Sequence, residues 1–135
     1  MIDHVTIASK DMMADVAWYR DVMGHRFMEY FMGPEQAGIG DTVVFAMTTT
    51  CQRGHDLGIV LDGAGGGGRT NHIAFFHDGR EELRRAAEVL LDQGTPIEFG
   101  PGKHGMGEQD YLYVREPGGM RVELNASGYQ NYEPD

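Results

Sequence analysis

The residues whose types and spacing could do chemistry together are His4, His72 and Glu123, with His104 and Tyr113 just upstream of the last. His4 opens the alternating run "HVTIA", where strand geometry sends His4, Thr6 and Ala8 to one face and Val5 and Ile7 to the other. In "NHIAFF", His72 shares a face with Ala74, and in "MRVEL", Glu123 shares one with Arg121. Tyr113 and Glu123 flank the Pro117-Gly118-Gly119 turn, so an antiparallel hairpin sets them opposite each other on one face. Two neutral imidazoles and one carboxylate bind one side of a metal ion and leave its other positions open. That arrangement suits non-haem Fe(II), with Mn(II) as the other metal these ligands accept. Taken one at a time, the same residues have plainer readings. A strand-start histidine is a polar edge residue, Glu123 a solvated carboxylate, and Tyr113 a wall residue with its hydroxyl bonded.

The elements that must bring these residues together come as a repeat. "DHVTIASKDMMADVAWYRDVMG" and "NHIAFFHDGREELRRAAEVLLDQG" each read as a short strand led by histidine, an acidic helix start, and a helix stopped by glycine. Asp11 is the expected N-cap of the first helix, with Val16, Tyr19, Val22 and Met23 as its inward stripe. In the second, Leu83, Ala86, Ala87, Leu90 and Leu91 form one apolar face, Asp78 with Glu81 reads as a capping box, and Gly94 as the C′ residue. Strand-like runs follow each helix: "RFMEYF", "TVVFAMTT" and "HDLGIVL", then "PIEFG", "DYLYV" and "MRVEL". The expected organisation is a single domain over 1–135. Its first βαβββ module covers 1–62, a flexible glycine-rich connector 63–68, and the second module 69–135. If the repeat is symmetric, His4 and His72 take matching positions. His25 and His77 read as surface residues at helix ends.

Composition narrows the partners. The chain has 135 residues and a formal net charge of -10, which argues against nucleic acid and anionic membranes. It has one cysteine, Cys51, so an internal disulfide is excluded. No apolar run approaches a membrane span, and "MIDHVTIASKD" lacks the features of a signal peptide, so a cytoplasmic location is the default.

The stretch from Gly102 to Leu124 resembles a known signature. It reads His104, seven residues, Leu112-Tyr113, Val-Arg, Glu116-Pro117-Gly118-Gly119, Met-Arg-Val, Glu123. It is similar to that of the vicinal-oxygen-chelate superfamily, and within it to the catalytic domain of type I extradiol (catechol-2,3-type) ring-cleaving dioxygenases. "GRTNHIAFF" looks like that family's second-ligand strand, "GHDLGIV" like the strand bearing its acid–base histidine, and "SGYQNYEPD" like its C-terminus. The resemblance implies an α+β fold in which two tandem βαβββ modules form an open, incompletely closed barrel-like sheet around a metal. It implies that His4, His72 and Glu123 bind Fe(II), that His55 moves protons without touching the metal, and that His104 and Tyr113 surround the substrate's hydroxyls. The reaction implied is extradiol cleavage of a catechol by O₂ to a muconic semialdehyde-type product.

Familiar members of that family carry a further N-terminal module pair that binds no metal, whereas this sequence starts at the ligand strand. A homodimer or higher homo-oligomer is the corresponding expectation. Two other functions share the scaffold. Glyoxalase-like isomerases or epimerases want a fourth protein ligand from the last strand of the first module, and "GHDLGIV" offers no glutamate or glutamine. Drug-binding resistance proteins generally lack the metal ligands altogether. The acidic chain disfavours a carboxylated catechol as substrate, although Arg121 on the Glu123 face weakens that inference.

Overall fold

A computed structural model describes residues Met1–Gln130. The tail resemblance at Asn131–Asp135 lies outside the described residues. The element order is β1 (Ile2–Ser9), α1 (Met12–Asp21), β2 (Arg26–Met32), a 3-10 turn (Glu35–Ala37), β3 (Val43–Thr49), β4 (Leu57–Leu61), β5 (Arg69–His77), α2 (Arg80–Asp92), β6 (Ile97–Lys103), β7 (Gln109–Arg115) and β8 (Arg121–Ser127). The fold is thus α+β, built from tandem βαβββ modules whose mixed sheet is open. No helix among the described residues is long and apolar enough to cross a membrane.

The chain divides into two compact units, and the division cuts through strands β1 and β5. One unit holds Val5–Asn71 with Gln130. In it Val5–Ser9 of β1 pair in parallel with β4, β4 pairs antiparallel with β3, and β3 antiparallel with β2. Helix α1 packs on β3 and β4. Met12, Val16, Ala46, Leu57 and Ile59 form its core, with Ile7, Tyr19, Phe27, Val43 and Leu61 against them. Asp11 caps α1 as expected, its side chain accepting from the Ala14 N–H. The inward stripe differs from the expectation. Met12, Val16 and Tyr19 face the core, while Val22 and Met23 lie beyond the last helical turn and are exposed. The glycine-rich run is tied down by Asp62, which accepts from the Ala64 and Gly67 N–H groups and pairs with Arg69.

The other unit holds Met1–His4 and His72–Tyr129. Here β5 pairs in parallel with β8, β8 antiparallel with β7, and β7 antiparallel with β6. The chain's first residues join β5, where the Phe76 N–H donates to the Met1 carbonyl at 2.9 Å. Helix α2 packs on β6, β7 and β8 and buries Leu83 and Ala87. Leu91 is exposed, because it lies on the margin of the apolar face that Leu83 and Ala87 turn to the sheet. The N-terminus of α2 departs from the expected capping box. Gly79 is the N-cap, and Glu82 reaches back one turn to the Asp78 N–H at 3.1 Å. Gly94 ends the helix with φ of 73°, where a side chain would be strained.

Candidate metal centre

The site is built within the unit of Met1–His4 and His72–Tyr129. Strand alternation buries His4 between half-exposed neighbours in β1, and does the same for His72 near the start of β5. Glu123 sits mid-way along β8, 1% exposed. The parallel β5–β8 register pairs Ala74 with Glu123, which puts His72, two residues before Ala74, on the same face as Glu123. The antiparallel β7–β8 register pairs Tyr113 with Glu123, as the turn at Pro117-Gly118-Gly119 requires. The turn is held by Glu116, whose carboxylate accepts from the Gly118 and Met120 N–H groups.

Three ligand-type atoms converge. His4 Nε2 and His72 Nε2 are 3.2 Å apart, and Glu123 Oε2 lies 3.1 Å from the first and 3.0 Å from the second. Metal bonds of about 2.1 Å at right angles would set ligand atoms about 3.0 Å apart, and tetrahedral ones about 3.4 Å. The near-equilateral triangle therefore matches one face of an octahedron. Oε2 is also buried with no hydrogen-bond partner, despite the two ring nitrogens beside it. Such an orphaned acceptor is costly in a dry site. A divalent cation satisfies it, so the donor set fits a facial two-histidine, one-carboxylate metal. Among the described residues, these three form the cluster able to hold a metal.

Electrostatics favour the anion that such a metal needs. Burial pushes the Glu123 carboxyl up, but His104, His4 and His72 around it outweigh burial and hold it well below the usual carboxylate range. Burial lowers His4, and Asp3 and Glu123 more than reverse this, leaving its pKa above the ordinary value. For His72 burial wins, and its pKa stands below the ordinary value, which favours the neutral ring a metal requires. Burial first, then Glu123, push the Tyr113 phenol far up, so Tyr113 keeps its proton and can donate.

His104 follows β6, its backbone N–H donating to the Gln109 carbonyl. Its Nε2 lies 3.2 Å from the Tyr113 hydroxyl and 3.3 Å from Glu123 Oε1. Tyr111 stacks on the His104 ring with centroids 4.0 Å apart. The structure thus brings His4, His72, Glu123, His104 and Tyr113 together. His55 is buried in the other unit, in the turn before β4 and not on that strand. His25 and His77, read as surface residues, are half-buried. His25 is 2.8 Å from the Thr48 hydroxyl, and His77 is 3.8 Å from Glu82.

Sequence reasoning missed a second ring of polar groups. Asp3 lies 2.9 Å from His4 Nδ1 and accepts from Asn125 and Gln109. Its one sequence signal was adjacency to His4. Asn125 falls two residues after Glu123, hence on the same strand face, but nothing local tells a buried asparagine from an exposed one.

Comparison with known proteins agrees with this fold. The family model "Glyoxalase/Bleomycin resistance protein/Dioxygenase superfamily" matches residues 1–124. A manganese-dependent 2,3-dihydroxybiphenyl 1,2-dioxygenase from Geobacillus genomosp. 3 is 34% identical over 99% of this chain and 42% of its own length. The solved 2,3-dioxygenase LapB from Pseudomonas sp. KL28 superposes with a TM-score of 0.88 at 23% identity, over 99% of this chain and 46% of that one. The Mn(II)-bound glyoxalase from Novosphingobium aromaticivorans does so with 0.83 at 22% identity, over 96% of this chain and 38% of that one. The chain spans under half the length of the curated relatives it matches.

Proposed function

The chain belongs to the Glyoxalase/Bleomycin resistance protein/Dioxygenase superfamily, and from that premise we propose that it cleaves a catechol-type aromatic ring with O₂, next to the two hydroxyls, using Fe(II) or Mn(II). The observation that carries this reading is the triangle of His4 Nε2, His72 Nε2 and Glu123 Oε2, which caps one side of a metal and leaves the other free. His4, His72 and Glu123 would hold the ion, which when bound supplies a Lewis acid for the two catechol oxygens and an electron route to O₂. The similarity to a dihydroxybiphenyl dioxygenase over the whole chain supports the same chemistry.

The chain's own residues do the rest. Tyr113, kept protonated, donates a hydrogen bond to a substrate oxygen. His104, within 3.2 Å of that hydroxyl, holds or accepts the second substrate proton. His55 is assigned the later proton transfer, the role its place in "GHDLGIV" implies. The substrate class we favour is an uncharged catechol. The chain is acidic, and Arg121, the cation on the Glu123 face, is already engaged by Glu98 at 2.8 Å and lies over the Tyr113 ring. The glyoxalase-like alternative would want a fourth ligand from β4, whose sequence LGIVL carries no ligand side chain.

A single functional domain over 1–135, a homodimer or higher homo-oligomer, no nucleic-acid or membrane partner and a cytoplasmic location belong to the same proposal. The net charge of -10 supports the partner exclusions. Tyr30, Phe31 and Met32, exposed at the end of β2, support self-association.

The test is anaerobic purification, metal analysis, and addition of catechol and O₂. One Fe or Mn per chain with a yellow ring-cleavage product is expected. Metal without ring cleavage, together with isomerase activity, would transfer the assignment to the glyoxalase-like class.

A further inference from the structure

Asp3 is largely buried, and one of its oxygens is used three times. Oδ2 lies 2.9 Å from His4 Nδ1, 2.7 Å from Asn125 Nδ2 and 3.3 Å from Gln109 Nε2. The two amides come from β8 and β7, so the carboxylate is fixed from strands far away in sequence. Asn125 is fully buried, and its amide can face a carboxylate only with the NH₂ end. A carboxylate only accepts, so the hydrogen between Asp3 and His4 belongs to Nδ1. A neutral imidazole has one N–H. With it on Nδ1, the lone pair is on Nε2, the atom that meets His72 and Glu123.

We propose that Asp3 is a positioning residue for the metal: it holds His4 in the Nδ1–H tautomer and at a fixed ring angle, so that Nε2 is ready to coordinate. Asn125 and Gln109 hold Asp3 in turn. This inference rests on the metal reading above. Outer partners of this kind orient a ligating histidine and raise its basicity, and their loss typically costs about 10–100-fold in metal affinity.

The test uses Co(II) alone, titrated anaerobically into the metal-free 135-residue chain and followed by its visible absorption. Wild type, Asp3→Asn and Asp3→Ala are compared. Nitrogen NMR of the same metal-free samples reports which ring nitrogen of His4 carries the hydrogen, and a thermal melt reports folding. Asp3→Ala is expected to bind Co(II) about 10–100-fold more weakly, with His4 no longer confined to the Nδ1–H form. Asp3→Asn keeps a neutral acceptor, and its affinity is expected between those of Asp3→Ala and wild type. A lower melting temperature with unchanged Co(II) affinity and tautomer would overturn the proposal and make Asp3 a structural residue. If Asp3→Ala does not fold, Asp3→Asn decides, and wild-type affinity there overturns it. Failure of wild type itself to bind Co(II) would instead remove the metal reading on which the proposal stands.

Discussion

Glu123 lies buried with Oε2 beside two ring nitrogens and Oε1 beside a third, so its charge organises the site. Glu123→Gln keeps the size and removes the anion. Metal content and turnover should both fall sharply, and full metal with full activity would rule out the three-ligand assignment. His4→Asn and His72→Asn should also lose metal. His55→Asn should keep it and slow single turnover by about 10²–10⁴-fold, the usual worth of a positioned acid–base group. Metal per chain and single-turnover rate on these variants separate the two roles. Loss of metal in His55→Asn would make His55 a ligand. A lower melting temperature with an unchanged rate per folded site would make it structural. At this scale much of the site was legible. Alternation in β1, β5 and β8 set the faces of His4, His72 and Glu123, and one turn set Tyr113 opposite Glu123. The groups behind them were not legible. Asp3, Asn125 and Gln109 meet only because β1, β7 and β8 converge, and local pattern carries no record of such meetings.

Among the elements, β6 is fastened to β7 and β8 by one carboxylate. Glu98 pairs with Arg115 at 2.9 Å and Arg121 at 2.8 Å. Hydrogen bonding from Arg121 leads in lowering its carboxyl from 4.5 to about 2, with burial opposing and Arg115 assisting. A carboxyl whose folded pKa is depressed stabilises the fold above its unfolded pKa and loses that contribution as pH falls through the folded one. The contribution from Glu98 is therefore present above about pH 4.5 and disappears towards pH 2. Urea denaturation at stepped pH should show Glu98→Gln with a flatter acid limb than wild type, and identical limbs would remove Glu98 from the account. At the same end of the β7–β8 hairpin, in the turn between Arg115 and Arg121, Gly119 has φ of 92°. Gly119→Ala should cost about 1–2 kcal/mol, read by the same denaturation curves, and should loosen the register that sets Tyr113 against Glu123. Element types and order were legible from periodicity and glycine stops. Helix faces were legible only in part. Val22 and Met23 keep the helical spacing, but α1 ends before them, and Leu91 falls on the margin of the face that α2 buries.

For the whole molecule, the exposed apolar side chains are the unresolved physical problem. Strand β2 pairs on one side with β3, and its last residues Tyr30, Phe31 and Met32 are 61%, 50% and 41% exposed. An open strand edge with apolar side chains invites a partner. Light scattering at micromolar concentration should give a mass above the 15.0 kDa of one chain, and Phe31→Lys should shift it towards the monomer. A wild-type monomer would count against self-association. The repeat and the open α+β sheet were readable from sequence. The actual seam was not, because it runs through β1 and β5 and not through the glycine run that looks like a boundary. That seam has a consequence in time. The unit that holds the metal ligands takes Met1–His4 from one end of the sequence and His72–Tyr129 from further along it. During synthesis His4 leaves the ribosome before His72 and Glu123 and lacks the full set of co-ligands until Glu123 follows. Closing so long a loop is cheap, about 0.6 kcal/mol for each doubling of length, but it cannot happen sooner. Metal capture therefore waits for the emergence of Glu123, and a chain interrupted anywhere before residue 123 is born without the site.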